Sequence, residues 1–103
     1  MTRLEQLQKF YAEDSGDPFN VYALALELSK SDSGKALTLY EEALRLHPDY
    51  LPTYYHAAKL CELLARKEQA IQIYKSGIDT AKRQQQFKTL RELQSALDEL
   101  IYE

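Results

Sequence analysis

The sequence predicts an all-α chain of about six helices arranged as antiparallel helix-turn-helix units, and three observations carry that prediction. Ala36, Tyr40 and Ala43 recur as Ala70, Tyr74 and Gly77, each pair 34 residues apart; a fixed period of this size marks stacked supersecondary units that bury their apolar faces against one another. Apolar residues elsewhere fall at i, i+3, i+4 and i+7, the spacing of one helix face. Only three glycines and three prolines occur in 103 residues, too few to turn a β-protein every ten residues or so.

Thr2-Arg3-Leu4-Glu5 is a capping box, in which the Thr2 hydroxyl accepts from the Glu5 amide and the Glu5 carboxylate from the Thr2 amide. A first helix is expected to about residue 12, with Leu4, Leu7, Phe10 and Tyr11 on one face, ended by Glu13-Asp14-Ser15-Gly16. Asp17-Pro18 restarts the chain, since Asp accepts from free amides and Pro at the first helical position has no amide to leave unpaired. The second helix is expected from Phe19 to about Lys30, with Val21, Leu24, Ala25 and Leu28 inward. After the polar break Ser31-Asp32-Ser33-Gly34, a third helix over residues 35–46 places Ala36, Leu37, Tyr40, Ala43 and Leu44 inward, and His47-Pro48-Asp49 stops it.

Pro52 opens a fourth helix whose inward face reads Tyr54, Ala57, Ala58 and Cys61. The fifth, about residues 68–81, buries Ala70, Ile71, Tyr74, Gly77 and Ile78, and residues 82–86 read as a basic, glutamine-rich connector. The last helix, about residues 87–102, carries Leu90, Leu93, Leu97 and Leu100 on one side, and Arg91, Glu92, Gln94, Ser95, Asp98 and Glu99 on a side expected to face water. Small residues belong where antiparallel helices approach within roughly 8–10 Å, which assigns that role to Ala25 with Ala36 and to Ala58 with Ala70.

Composition narrows the function. The net charge of −3 offers no excess of cations to a phosphate backbone and so opposes nucleic-acid binding. Charge is nevertheless uneven, with residues 59–91 carrying an excess of five positive charges and each flank an excess of four negative ones. The single cysteine, Cys61, permits no internal disulfide, and with no signal-like apolar run at the start and no stretch of roughly 20 apolar residues, a cytoplasmic protein without membrane contact is expected. Two histidines and one thiol are too few for a converging metal site. No Ser, Cys or His has the company of a base and an orienting group, and Gly16, Gly34 and Gly77 are isolated, so neither catalysis nor a phosphate-binding glycine loop is expected. No cofactor is implied.

The repeated residues resemble the tetratricopeptide repeat, a 34-residue helix-turn-helix unit with an Ala, an aromatic, an Ala and a terminal Pro in its second helix. Val21, Leu24, Ala25 and Leu28, then Ala36, Tyr40, Ala43 and Pro48, match one copy; Tyr54, Ala57, Ala58 and Cys61, then Ala70, Tyr74 and Gly77, match a second. Lys82 stands where the second copy would have Pro, and Ala65-Arg66-Lys67 lacks the usual turn glycine. The resemblance implies one domain over residues 1–103: a half-repeat helix at 1–16, repeats at 17–50 and 51–84, and a capping helix at 85–103, wound as a short right-handed superhelix. It also implies a non-enzymatic adaptor that takes a peptide or helix of a partner protein in a groove lined by first helices, here by Phe19, Tyr22, Leu26, Tyr55, Lys59 and Glu62. The subgroup that grips a C-terminal carboxylate uses Lys and Asn in that groove, where this chain has Tyr22 and Leu26. A second expectation is self-assembly through array ends or the Leu90–Leu100 stripe; a third is an acidic partner for the basic 59–91 segment.

Overall fold

The computed structural model describes residues 1–102. Those residues form six helices: α1 (Arg3–Glu13), α2 (Pro18–Leu28), α3 (Ser33–Leu46), α4 (Pro52–Leu63), α5 (Lys67–Arg83) and α6 (Phe87–Ile101). They divide into two compact units, Met1–Thr53 and the chain from Tyr54 onward.

In the first unit, both halves of the predicted capping box form: the Glu5 amide donates to Thr2 Oγ1 at 3.1 Å and the Thr2 amide to Glu5 Oε1 at 3.2 Å. Asp17 caps α2, accepting from the Phe19 amide at 2.9 Å. α2 packs against both α1 and α3, and Leu7, Val21, Leu24, Ala25, Leu28, Ala36, Leu37, Tyr40 and Ala43 are buried. Two side chains fasten α1 to its neighbours. The Tyr11 hydroxyl donates to Glu42 Oε2 at 2.7 Å, and Asn20 Nδ2 donates to the Phe10 and Asp14 carbonyls at 3.2 and 2.9 Å.

Three expectations shift here. Phe10, expected inward, is 46 % exposed, because the face of α1 that packs is centred on Leu7. α2 stops at Leu28 rather than Lys30, since the Ser29 hydroxyl donates to the Leu26 carbonyl at 2.6 Å and the Asp32 amide closes on the Leu28 carbonyl at 2.7 Å. α3 starts at Ser33 within the predicted polar break, because Asp32 is its cap and accepts from the Lys35 amide at 3.1 Å.

The second unit packs α5 on α6. Tyr54, Ala57, Ala58, Cys61, Ala70 and Tyr74 are buried as the spacing predicts, and Leu93, Leu97 and Leu100 are buried with them. The face of α5 is rotated from its predicted setting: Ile73 and Thr80 are buried, while Ile71 and Ile78 are half-buried.

The connector expected over 82–86 is shorter, because α5 runs on through Lys82 and Arg83. Their positive charges suit the negative end of the helix. α4 and α5 then end on the same device. The Arg66 amide reaches the Cys61 carbonyl at 2.8 Å and the Ala65 amide the Glu62 carbonyl at 3.1 Å; the Gln86 amide reaches Ala81 at 2.8 Å and the Gln85 amide Lys82 at 3.1 Å. This is the Schellman closure, and it puts Ala65 at φ 59° and Gln85 at φ 57°, where glycine is the favoured residue. The left-handed conformation costs a residue with a Cβ about 1–2 kcal/mol, against about 0.4–1 kcal/mol of unfolded-chain entropy that glycine adds. Ala65→Gly and Gln85→Gly are therefore each expected to stabilise the protein by about 0.5 kcal/mol, read as a rise in the urea midpoint at unchanged slope.

Candidate interaction site

Among the six residues of the implied groove, Phe19, Tyr22 and Leu26 lie on α2 in the first unit, and Tyr55, Lys59 and Glu62 on α4 in the second. Phe19 is 49 % exposed, while Tyr22 and Leu26 are half-buried. Phe19 and Tyr22 stand 6.4 Å apart between ring centroids, and Tyr22 meets the edge of Tyr50 at 5.8 Å. Burial, then the neighbouring Tyr50 hydroxyl, pushes the Tyr22 phenol above its ordinary pKa. The first unit thus presents a short row of aromatic rings, and Tyr50 is a member that helical periodicity could not supply, because it lies between α3 and α4.

In the second unit, Tyr55 and Lys59 form one wall of an open cleft of about 420 Å³. Tyr55 is 37 % exposed. The Lys59 ammonium sits 5.6 Å from the Tyr55 ring centroid and 3.6 Å from Glu62 Oε2, an aromatic face on one side and a carboxylate on the other. Glu62 in turn accepts from the buried Tyr74 hydroxyl. That chain of contacts, Tyr55 to Lys59 to Glu62 to Tyr74, ties the exposed wall to the core, so the cleft side of α4 is set by packing rather than by solvent.

The other wall is α6. Lys88, Arg91 and Glu92 line it near the helix start, and Ser95, Ala96 and Glu99 further along. Periodicity assigned Arg91, Glu92, Ser95 and Glu99 to open water. They are exposed, yet they face Tyr55 and Lys59 across a concavity, because a helix pattern shows which face is buried and not what stands opposite the rest. A local signal was nevertheless available in the charges. α5 opens with Glu68 and closes with Lys82 and Arg83, in keeping with the helix dipole, whereas α6 has no acid in its first turn and no base in its last. Lys88 lies in that first turn, and Asp98 and Glu99 in the last. Each charge so placed works against its helix by about 0.3–1 kcal/mol at low salt.

Other chemistry is sparse. Cys61 is buried. Desolvation holds the His56 imidazole below its ordinary pKa, and among the described residues no three His, Cys, Asp or Glu side chains gather as metal ligands. No helix among them is long and apolar enough to cross a membrane. Of the Leu90–Leu100 stripe, Leu93, Leu97 and Leu100 are buried by packing within the second unit and Leu90 is half-buried.

The tetratricopeptide repeat family model matches residues 27–93. Among solved structures, the solution structure of a tetratricopeptide repeat domain protein from Salinibacter ruber is 46 % identical, covers 82 % of this chain and 86 % of that one, and has a TM-score of 0.78. A crystal structure of a tetratricopeptide repeat domain protein from the same organism gives 45 % identity, coverage of 82 % and 96 %, and a TM-score of 0.77. A protein from Bordetella parapertussis matches over 99 % of this chain and 90 % of its own with a TM-score of 0.82 at 20 % identity, a likeness of fold. A search of curated proteins gives no significant match.

Proposed function

Because the chain belongs to the tetratricopeptide repeat family, whose fold generally serves protein–protein interaction, we propose that it is a non-enzymatic adaptor that binds a segment of a partner protein. The observation that carries the reading is the cleft of the second unit, where the half-exposed Tyr55 ring and the Lys59 ammonium face α6. Aromatic side chains with an apolar body and a polar tip contribute much of the energy at typical interfaces. Glu62 holds Lys59 in place from the far side. Phe19, Tyr22 and Leu26 of the first unit form a second patch of the same character, with Phe19 its most exposed member.

Cross-linking in the native cell followed by purified titration tests this. Tyr55→Ala is expected to weaken the identified partner at least about tenfold, which corresponds to about 1.4 kcal/mol, while the helical circular dichroism stays that of the parent. Unchanged affinity removes the cleft from the binding surface.

A further inference from the structure

The charges that α6 brings to the second-unit cleft are unevenly placed, with a positive excess near the helix start and a negative charge near its end. Lys88 and Arg91 line it at the start of α6 and Glu99 at its end. Among the described residues, neither cation has an ion-pair partner within 4 Å, and neither has Glu99. Lys59, the cation of the opposite wall, is already spent on Glu62. Glu92 tempers the positive end without reversing it, and the α6 dipole adds to both ends in the same sense as the side chains, positive at Lys88 and negative at Glu99. Tyr55 on one wall and the buried Ala96 on the other supply apolar lining. This arrangement sets α6 against itself, since the helix would be better served by an acid where Lys88 is and a base where Glu99 is. Local rules broken in this way gather at sites kept for another purpose.

We propose that this cleft binds an extended peptide segment of opposite polarity, with an acidic side chain against Lys88 and Arg91, an apolar one over Tyr55, and a basic one against Glu99. The inference rests on the adaptor reading and names the partner's chemistry. Arg91 and Lys88 lie about 12 and 16 Å from Glu99 along the helix axis, and an extended chain advancing about 3.3 Å per residue covers that in four to five positions. A cleft of about 420 Å³ admits a few side chains of such a chain. The partner segment is therefore acid and base four or five residues apart, with a large apolar residue between them.

Three synthetic peptides of one length and one central Leu test it: one with Glu and Lys about four positions apart, one with Glu at both positions, one with Lys at both. Binding is followed by fluorescence anisotropy at low salt and, on the same samples, by amide shifts of α4 and α6. The mixed peptide is expected to bind about tenfold tighter than either uniform one, and to lose that margin as salt is raised. The double variant Lys88→Glu with Arg91→Glu should melt at a higher temperature than the parent, because acids now stand at the start of α6 as its dipole asks, and should move the preference to the peptide with Lys at both positions. Equal affinity for the three peptides with shifts confined to α4 and α6 overturns the charge order and leaves the cleft as a binding surface. No binding, or shifts elsewhere, overturns the cleft itself along with it. A double variant that is no more stable than the parent overturns the argument that α6 holds its charges at its own expense.

Discussion

Tyr74→Ala is expected to destabilise the protein by about 4 kcal/mol, in the range of an aromatic truncation that leaves a cavity, measured by urea unfolding. Tyr74 is wholly buried in the second unit and its hydroxyl donates to Glu62, so truncation removes both a packed ring and the donor that fixes the cleft wall. Tyr74→Phe separates the two. It keeps the ring and loses a hydrogen bond to a charged group, at about 1.5 kcal/mol; the half-buried Glu62 can still be reached by water, which limits the loss. The same hydroxyl sets an alkaline limit. Burial, followed by the hydrogen bond and charge of Glu62, raises the Tyr74 pKa well above its ordinary value of 10.0, and burial does the same for Tyr40. A phenol whose folded pKa is raised contributes stability that is whole below the unfolded value and drains away as pH climbs beyond it. Unfolding should therefore set in above about pH 10, with tyrosinate absorbance appearing together with loss of helix. The double variant Tyr40→Phe with Tyr74→Phe should carry that onset to higher pH.

Gly77→Ala is expected to cost about 1 kcal/mol net, although alanine is the better helix former. Gly77 sits inside α5, where alanine would ordinarily gain about 1 kcal/mol. A Cβ there would stand 2.8 Å from Tyr54 Cβ, 2.9 Å from Tyr54 Cγ and 3.0 Å from Leu93 Cδ1. Two of those atoms are at or next to the Tyr54 backbone and cannot swing aside, so α5 must move off α4, and overpacking of about 1–3 kcal/mol outweighs the propensity gain. Gly77→Val should cost more, and either loss would be read as a lower urea midpoint. The repeat explains why glycine is needed in one copy alone. In the matched copy Ala43 stands where Gly77 does, and Val21 where Tyr54 does; the larger residue of one position goes with the smaller residue of the other.

Much of this fold is legible in the chain. The capping box at Thr2, the cap at Asp17, and the buried Tyr40 and Tyr74 at a 34-residue period all follow from hydrogen-bonding and packing rules that act over one or two turns. The helix ends after Leu63 and Arg83 do not, because Ala65 and Gln85 adopt a conformation that glycine would have announced. The site divides in the same way. Tyr55 and Lys59 could be placed beside the buried stripe by periodicity, but Lys88, Arg91 and Glu99 became part of the cleft through the packing of the second unit, which no spacing within α6 records. What α6 did record was its unfavourable charge order.

The Asn20 side chain, which holds the carbonyls of Phe10 and Asp14 from the first turn of α2, has a consequence for motion. The last turn of α1 is fastened by an atom that belongs to the next helix, which couples the loop over residues 14–17 to the winding of α2. Opening that end of α1 breaks both hydrogen bonds, at about 0.5–1.5 kcal/mol each, and is expected to appear as hydrogen-exchange protection that residues 10–14 share with the first turn of α2.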